Sequence, residues 1–260
     1  MSKPIQEMKI DQLPVGIFQT NEELGQFAAA EAAQVIQQAI RERGVANVIL
    51  ATGNSQLTFL ETLREDKSIA WQKVNVFHMD EYLGIDPNHP ASFPLFLRKR
   101  FLSFVSVKEF FPVSGKTSSV EATIADYTRQ LREHPADLCA CGYGENGHLA
   151  FNDPPFADFA DPVWAKVVKL AEASRKQQVG EGHFKSLADV PTHAITLTIP
   201  ALLAAKRVLC IVPEARKADA VYAALKLPIS EDCPGSILRR MPHARLYLDR
   251  DSAAKVWRPG

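Results

Sequence analysis

The chain has 260 residues, 46% of them hydrophobic, enough to bury one substantial core, so a single domain over 1–260 is the expected organisation. Lys plus Arg and Asp plus Glu both number 30, which gives a formal net charge of zero and no global field to gather nucleic acid or an anionic membrane. A small-molecule partner is the expectation that remains.

The opening stretch MSKPIQEMKIDQLP has no apolar run of secretory length, and the longest apolar runs elsewhere are strand-sized, so a cytoplasmic protein is expected. Cys139, Cys141 and Cys210 lie in apolar, strand-like runs, where a thiol acts as a small hydrophobe; with Cys233 they are expected to stay unpaired.

Thr20 followed by Glu23 signals a helix start, and Leu24, Phe27, Ala28, Ala32, Val35 and Ile36 share one face of a helix over 22–43 that Gly44 ends. Glu31 falls on the same side and is the one mismatch. ANVILA (46–51) is too short for a helix and reads as a strand buried on both faces of a parallel sheet. The turn 52–55 then opens another helix. VNVFHM (74–79), ADLCAC (136–141) and RVLCIV (207–212) read as strands, the last followed by a helix over 214–227. HAITLTI (193–199) alternates, as a strand nearer an edge would, and ARLYL (244–248) supplies a late strand. Strands alternating with helices imply an α/β fold, a doubly wound Rossmann-like parallel sheet with helices on both faces. The stretch 152–191 is irregular apart from an element around 163–170, and is expected to act as a lid, the alternative being a surface excursion with no catalytic duty.

In such a sheet, ligands bind beyond the carboxyl ends of the strands. After the first predicted strand, Thr52-Gly53-Asn54-Ser55 suits a phosphate held by backbone amides and hydroxyls, although a turn with a helix cap would use the same residues. The loop lacks the Gly-Lys-Thr/Ser ending of a nucleoside-triphosphate site. After the second come Asp80 and Glu81, one of which could serve as a general base, the alternative being a helix cap. After the third, Gly142, Gly144 and Gly147 frame a loop from which His148 emerges, with Asp153 five residues on. A histidine oriented by a carboxylate shuttles protons near neutral pH; a core histidine or a metal ligand are the alternatives. A metal site would draw on His78, Asp80 and His148, yet no two of these form a close helical pair, so no metal and no cofactor are expected. After the fourth strand, Lys217 sits at a helix start, where a cation invites an anionic ligand, the alternative being a solvated first-turn lysine.

At this point the residues resemble a known family. Phe77-His78-Met79-Asp80-Glu81-Tyr82 and the run from Gly144-Glu145-Asn146-Gly147-His148 to Phe151-Asn152-Asp153-Pro154 closely resemble the two signatures of glucosamine-6-phosphate deaminases. The likeness includes the Thr52-Gly53 turn and Lys217. It implies a Rossmann-like fold shared with 6-phosphogluconolactonases and some sugar-phosphate sensors. By that resemblance Asp80 moves a proton from C2 to C1, His148 promotes ring opening with Asp153 and Asn146 beside it, and ammonia leaves. Thr52, Gly53, Asn54, Ser55, Gly147, Lys217 and, from the lid, Arg175 would hold the sugar phosphate. Members of the family usually carry Glu where this chain has Asp153, and some carry Asp where it has Asn146.

Hexameric members bind an effector through the extreme N-terminus and basic lid residues that have no match here. No activation by an N-acetylated sugar phosphate is expected, and a homo-oligomer stays open. Two rivals share the fold. A lactonase, a hydrolase, typically has Asp-Glu-Arg in place of Asp80-Glu81-Tyr82 and Ser-Leu-Phe in place of Phe151-Asn152-Asp153. A sugar-phosphate sensor would need a DNA-binding module, and about twenty residues before the first helix are too few for one.

Overall fold

Strands covered on both faces must be largely apolar, and ANVIL, VNVFH, LCAC and RVLCIV are so apart from Asn47, Asn75, His78 and Arg207. The computed structural model, which describes residues 3–154 and 156–258, places all four in one eight-stranded sheet. In chain order the elements are β1 (Gln6–Ile10), β2 (Leu13–Phe18), α1 (Asn21–Arg43), β3 (Ala46–Leu50), α2 (Leu57–Arg64), β4 (Val74–His78), β5 (Asp80–Tyr82), α3 (Phe93–Leu97) and β6 (Glu109–Phe111). They continue with α4 (Val120–Glu133), β7 (Leu138–Cys141), β8 (Ala165–Lys169), α5 (Glu172–Gly180), β9 (His193–Leu197), α6 (Ile199–Leu203), β10 (Arg207–Val212), α7 (Ala218–Lys226) and β11 (Ala244–Asp249).

The order across the sheet is β1-β2-β11-β10-β7-β3-β4-β6, and every pairing is parallel except the β1–β2 hairpin. Side chains alternate between two cores, as the strand period requires. Val48, Leu50, Val76, Ala140 and Ile211 pack with α1 and α2, whereas Ile49, Phe77, Cys139, Cys141 and Cys210 pack with Tyr127 of α4, Leu202 of α6 and Val221 of α7. The expected doubly wound α/β architecture is therefore present. All four cysteines are buried and unpaired. Among the described residues no helix is long and apolar enough to cross a membrane.

Helix α1 begins where the Thr20 hydroxyl accepts from the Glu23 N–H at 3.2 Å and ends at Gly44, whose φ of 77° suits glycine. Its mismatched Glu31 has a partner on every side: Arg207 Nε donates to it at 2.7 Å, and Arg245 and Tyr247 reach its other oxygen. That carboxylate pins α1 to β10 and β11.

His193–Leu197 does not flank the main sheet. It is the central strand of a second, antiparallel sheet, β5-β9-β8, with Ile195 and Leu197 in the main core and Ala194 in a third cluster with Tyr82, Phe151 and Phe184. The stretch 152–191 is more regular than expected, because it contributes both β8 and α5. Helix α5 buries Ser174 and Gln178 in place of an apolar stripe, so hydrophobic periodicity could not reveal it.

Candidate active site

Strand order reverses between β3 and β7, since the chain runs outward from β3 to β4 and β6 on one side and from β7 to β10 and β11 on the other. A crevice beyond the carboxyl ends of two such strands is the expected ligand site. A cleft lies there, lined by Thr52, Gly53 and Ser55 after β3, Asp80 after β4, Gly142 to Gly144 and His148 after β7, and Lys217 after β10. The stretch 152–191 closes it with Gln177, Gln178, Glu181 and His183.

Asp80 and Glu81 are adjacent on β5, so their side chains take opposite faces. Glu81 turns from the cleft and staples the start of α3: its carboxylate accepts from Ser92 Oγ at 2.6 Å, the Tyr82 N–H at 2.9 Å and the Phe93 N–H at 3.4 Å. Burial raises the Glu81 carboxyl to about 7, with those three hydrogen bonds opposing the rise. Asp80 lines the cleft, and its carboxylate accepts no hydrogen bond among the described residues. Burial, reinforced by the charge of Glu81, pushes Asp80 up to about 8. A carboxylate so placed is a strong base by carboxylate standards, because ionisation in a buried site costs it hydration that no hydrogen bond replaces.

His148 emerges from the glycine-framed loop. Gly144 leaves room for it, as a Cβ there would fall 2.0 Å from the imidazole, and Gly147 turns the loop at φ 81°. Nδ1 of His148 lies 2.7 Å from Asn146 Oδ1 and 2.9 Å from Asp153 Oδ1, and Ser174 Oγ is 3.2 Å away. Both carbonyl and carboxylate oxygens are acceptors, so Nδ1 carries the proton and Nε2 is left to exchange one in the cleft. Asp153 is fully buried and also accepts from Asn146 Nδ2 at 2.8 Å and Ser174 Oγ at 2.5 Å. Burial alone would raise its carboxyl; hydrogen bonds from His148, Asn146 and Ser174 outweigh it and hold the group below the usual range.

At the other end of the cleft Lys217 is 2% exposed, and its ammonium makes no ion pair among the described residues. Burial first, and then the Arg216 charge, bring it down to about 8. Gln56 ties this end to the sheet, donating to Ile211 O at 3.1 Å, while its Oε1 is buried without a partner. Glu214, just before the lysine, sits at a φ of 83°, a strained backbone for a non-glycine residue of the kind that clusters at functional sites.

Three expected ligands lie elsewhere. Asn54 is exposed and outside the lining, because the turn that aims Thr52 and Ser55 inward aims it outward. Gly147 also lies outside the lining and packs against Cys233, which a Cβ would approach to 2.6 Å. Arg175 does not reach the cleft: its guanidinium donates to Leu187 O at 2.5 Å and Val190 O at 3.0 Å, which holds the following loop in place. His78 is fully buried, its Nε2 accepts from the Val113 N–H at 2.8 Å, and it is not among the residues that line the cleft. Among the described residues no three His, Cys, Asp or Glu side chains are grouped to hold a metal.

Glu181 and His183 had no signal in the sequence. Burial would raise the Glu181 carboxyl, but hydrogen bonds from His183, Arg216 and Gln177 bring it to about 2, so it is ionised. Arg216 NH1 is 2.6 Å from this carboxylate and 3.3 Å from Glu145, which joins the stretch 152–191 to the loops after β7 and β10.

Residues 19–247 match the family profile described as glucosamine-6-phosphate isomerases/6-phosphogluconolactonase. A glucosamine-6-phosphate deaminase of Exiguobacterium sibiricum is 34% identical over 220 residues, 84% of each chain. One from Listeria monocytogenes serotype 4b is 32% identical over 227 residues, 86% of this chain and 93% of its own. Among solved structures, a monomeric glucosamine-6-phosphate deaminase superposes with a TM-score of 0.85 at 30% identity, over 95% of this chain and 100% of its own. The 6-phosphogluconolactonase of Trypanosoma brucei superposes with a TM-score of 0.77 over 97% of this chain and 100% of its own, but at 17% identity the likeness is one of fold. The chain belongs to the glucosamine-6-phosphate isomerase/6-phosphogluconolactonase family.

Proposed function

We propose that this enzyme converts glucosamine 6-phosphate, or a close epimer, and water to a ketose 6-phosphate and ammonia. The observation that carries the reading is the pairing, in one cleft, of a buried carboxylate without hydrogen bonds, Asp80, with a histidine whose far nitrogen is oriented by Asp153 and Asn146. Nε2 of His148 takes the proton of the C1 hydroxyl and returns it to the ring oxygen, which opens the sugar to its aldehyde form. Asp80 then takes the C2 proton and delivers it to C1, while the amino nitrogen gives up one proton and the C1 oxygen gains one, so that the aldehyde carbon becomes an alcohol carbon and C2 becomes an imine. Water adds to C2 and ammonia leaves, which completes the balance. Thr52, Gly53, Ser55 and Lys217 hold the phosphate through amides, hydroxyls and one ammonium. Residues 152–191 act as a lid on a single domain.

Relatives named as deaminases share 30–34% of their residues with this chain, whereas the lactonase neighbours share under 20%, and this favours deamination over lactone hydrolysis. We further infer a monomer, as described for the solved deaminase relative. Four buried free thiols suit a reducing cytoplasm. Ammonia release measured in parallel from glucosamine 6-phosphate and galactosamine 6-phosphate tests the reading and identifies the epimer. Absence of ammonia from both, with folded protein, would refute it.

A further inference from the structure

We propose that His183 is a substrate ligand that supplies the second cationic contact to the phosphate, alongside Lys217. The inference rests on the sugar-phosphate reading and extends it to a residue of the stretch 152–191.

A phosphate monoester carries a charge of about −1.5 to −2 near neutral pH. The basic side chains lining the cleft are Lys217, His148 and His183, and the acidic ones are Asp80 and Glu181. One ammonium leaves a dianion under-compensated, particularly with the ionised Glu181 on the same lining. His148 is committed through Nδ1 to Asn146 and Asp153. Arg175 is bound to the carbonyls of Leu187 and Val190, and Arg216 lies outside the lining, shared among Glu145, Glu181 and Glu214. His183 is the basic side chain that remains.

Its geometry suits the task. Nε2 of His183 lies 3.3 Å from a Glu181 oxygen, and Nδ1 makes no hydrogen bond among the described residues. Nε2 is thus directed at Glu181, and Nδ1 is left to meet an anion in the cleft. The backbone is fixed in advance: the His183 N–H donates to Gln178 O at 3.0 Å, and the next residue, Phe184, packs edge-on to Tyr82 with ring centroids 5.4 Å apart. Thr52, Ser55, Lys217 and His183 all line this one cleft.

The test is calorimetric binding of glucitol 6-phosphate, an open-chain sugar phosphate that cannot react, to wild type, His183→Ala, His183→Gln and His183→Arg. Lys185→Ala, an exposed neighbour outside the cleft, is the control. Loss of one charge-assisted hydrogen bond predicts a roughly ten- to hundredfold rise in Kd for the Ala and Gln variants, with His183→Arg and the control within a few-fold of wild type. Affinity unchanged in both the Ala and Gln variants would overturn the role of His183 and leave the sugar-phosphate reading standing. A loss in His183→Arg as large as in His183→Ala would overturn the charge argument. Wild type that does not bind glucitol 6-phosphate would overturn both the inference and the function it rests on.

Discussion

Oδ1 of Asp153 lies 2.9 Å from Nδ1 of His148, although its side chain is one methylene shorter than the glutamate usual among deaminases. The reach comes from the backbone before it. The Asn152 side chain donates to Leu149 O and Leu197 O, both at 2.8 Å, and this draws Asp153 in beneath the imidazole. Because Asn146 Oδ1 accepts from the same ring nitrogen at 2.7 Å, loss of one acceptor leaves the ring still held by the other. Asp153→Ala is therefore expected to lower kcat by about ten- to a hundredfold, and the double variant with Asn146→Ala by more than the product of the two single losses. Steady-state kinetics on folded protein checks this; multiplicative losses would show that the two groups act independently.

The acid limb of the rate profile follows from Asp80. The group must be ionised to accept a proton, and burial with the Glu81 charge places it at about 8, so kcat/KM should rise as pH approaches 8 and level above it. The Glu81 anion disfavours a second anion beside it, and its removal favours ionised Asp80. Glu81→Gln should accordingly move the limb to lower pH. A limb that stays in place or moves up would contradict the coupling.

Lys217 opposes folding at the end of the cleft proposed to hold the phosphate. An unfolded lysine titrates at 10.5 and the folded one at about 8, so at pH 7 the buried ammonium costs roughly 3 kcal/mol. Between those two values the unfolded chain binds more protons, and stability rises with pH. Lys217→Met should raise Tm at pH 7 by several degrees while raising KM for the sugar phosphate at least tenfold. A melt at pH 7 together with initial rates separates the two effects; a lower Tm would argue against a desolvation cost.

Much of the fold could be read from local pattern because its central strands are apolar on both faces. Thr20 with Glu23 and Gly44 marked the ends of α1 for equally local reasons. The β1–β2 hairpin was not legible: QEMKI is largely exposed, and its strand character comes from pairing with Leu13–Phe18. Strand β5 has three residues and owes its conformation to β9, more than a hundred residues away. At the site, Asp80 and His148 stand out because each follows a strand of the main sheet, and strand alternation separates Asp80 from Glu81. Glu181 and His183 do not, since a polar helix and its Gly-rich exit carry no periodic signal. Arg175 was expected in the cleft only through the resemblance, and tertiary structure shows instead the carbonyls of Leu187 and Val190 that it holds.

The central claim is that Asp80 moves the C2 proton, and the most direct test is the rate of ammonia release by Asp80→Asn protein. The isosteric amide retains the shape of the cleft and removes the base. A loss of about a hundred- to ten-thousand-fold in kcat, roughly 3 to 5 kcal/mol of barrier, is predicted, with glucitol 6-phosphate still bound. A variant that turns over within a few-fold of wild type would remove Asp80 from the mechanism.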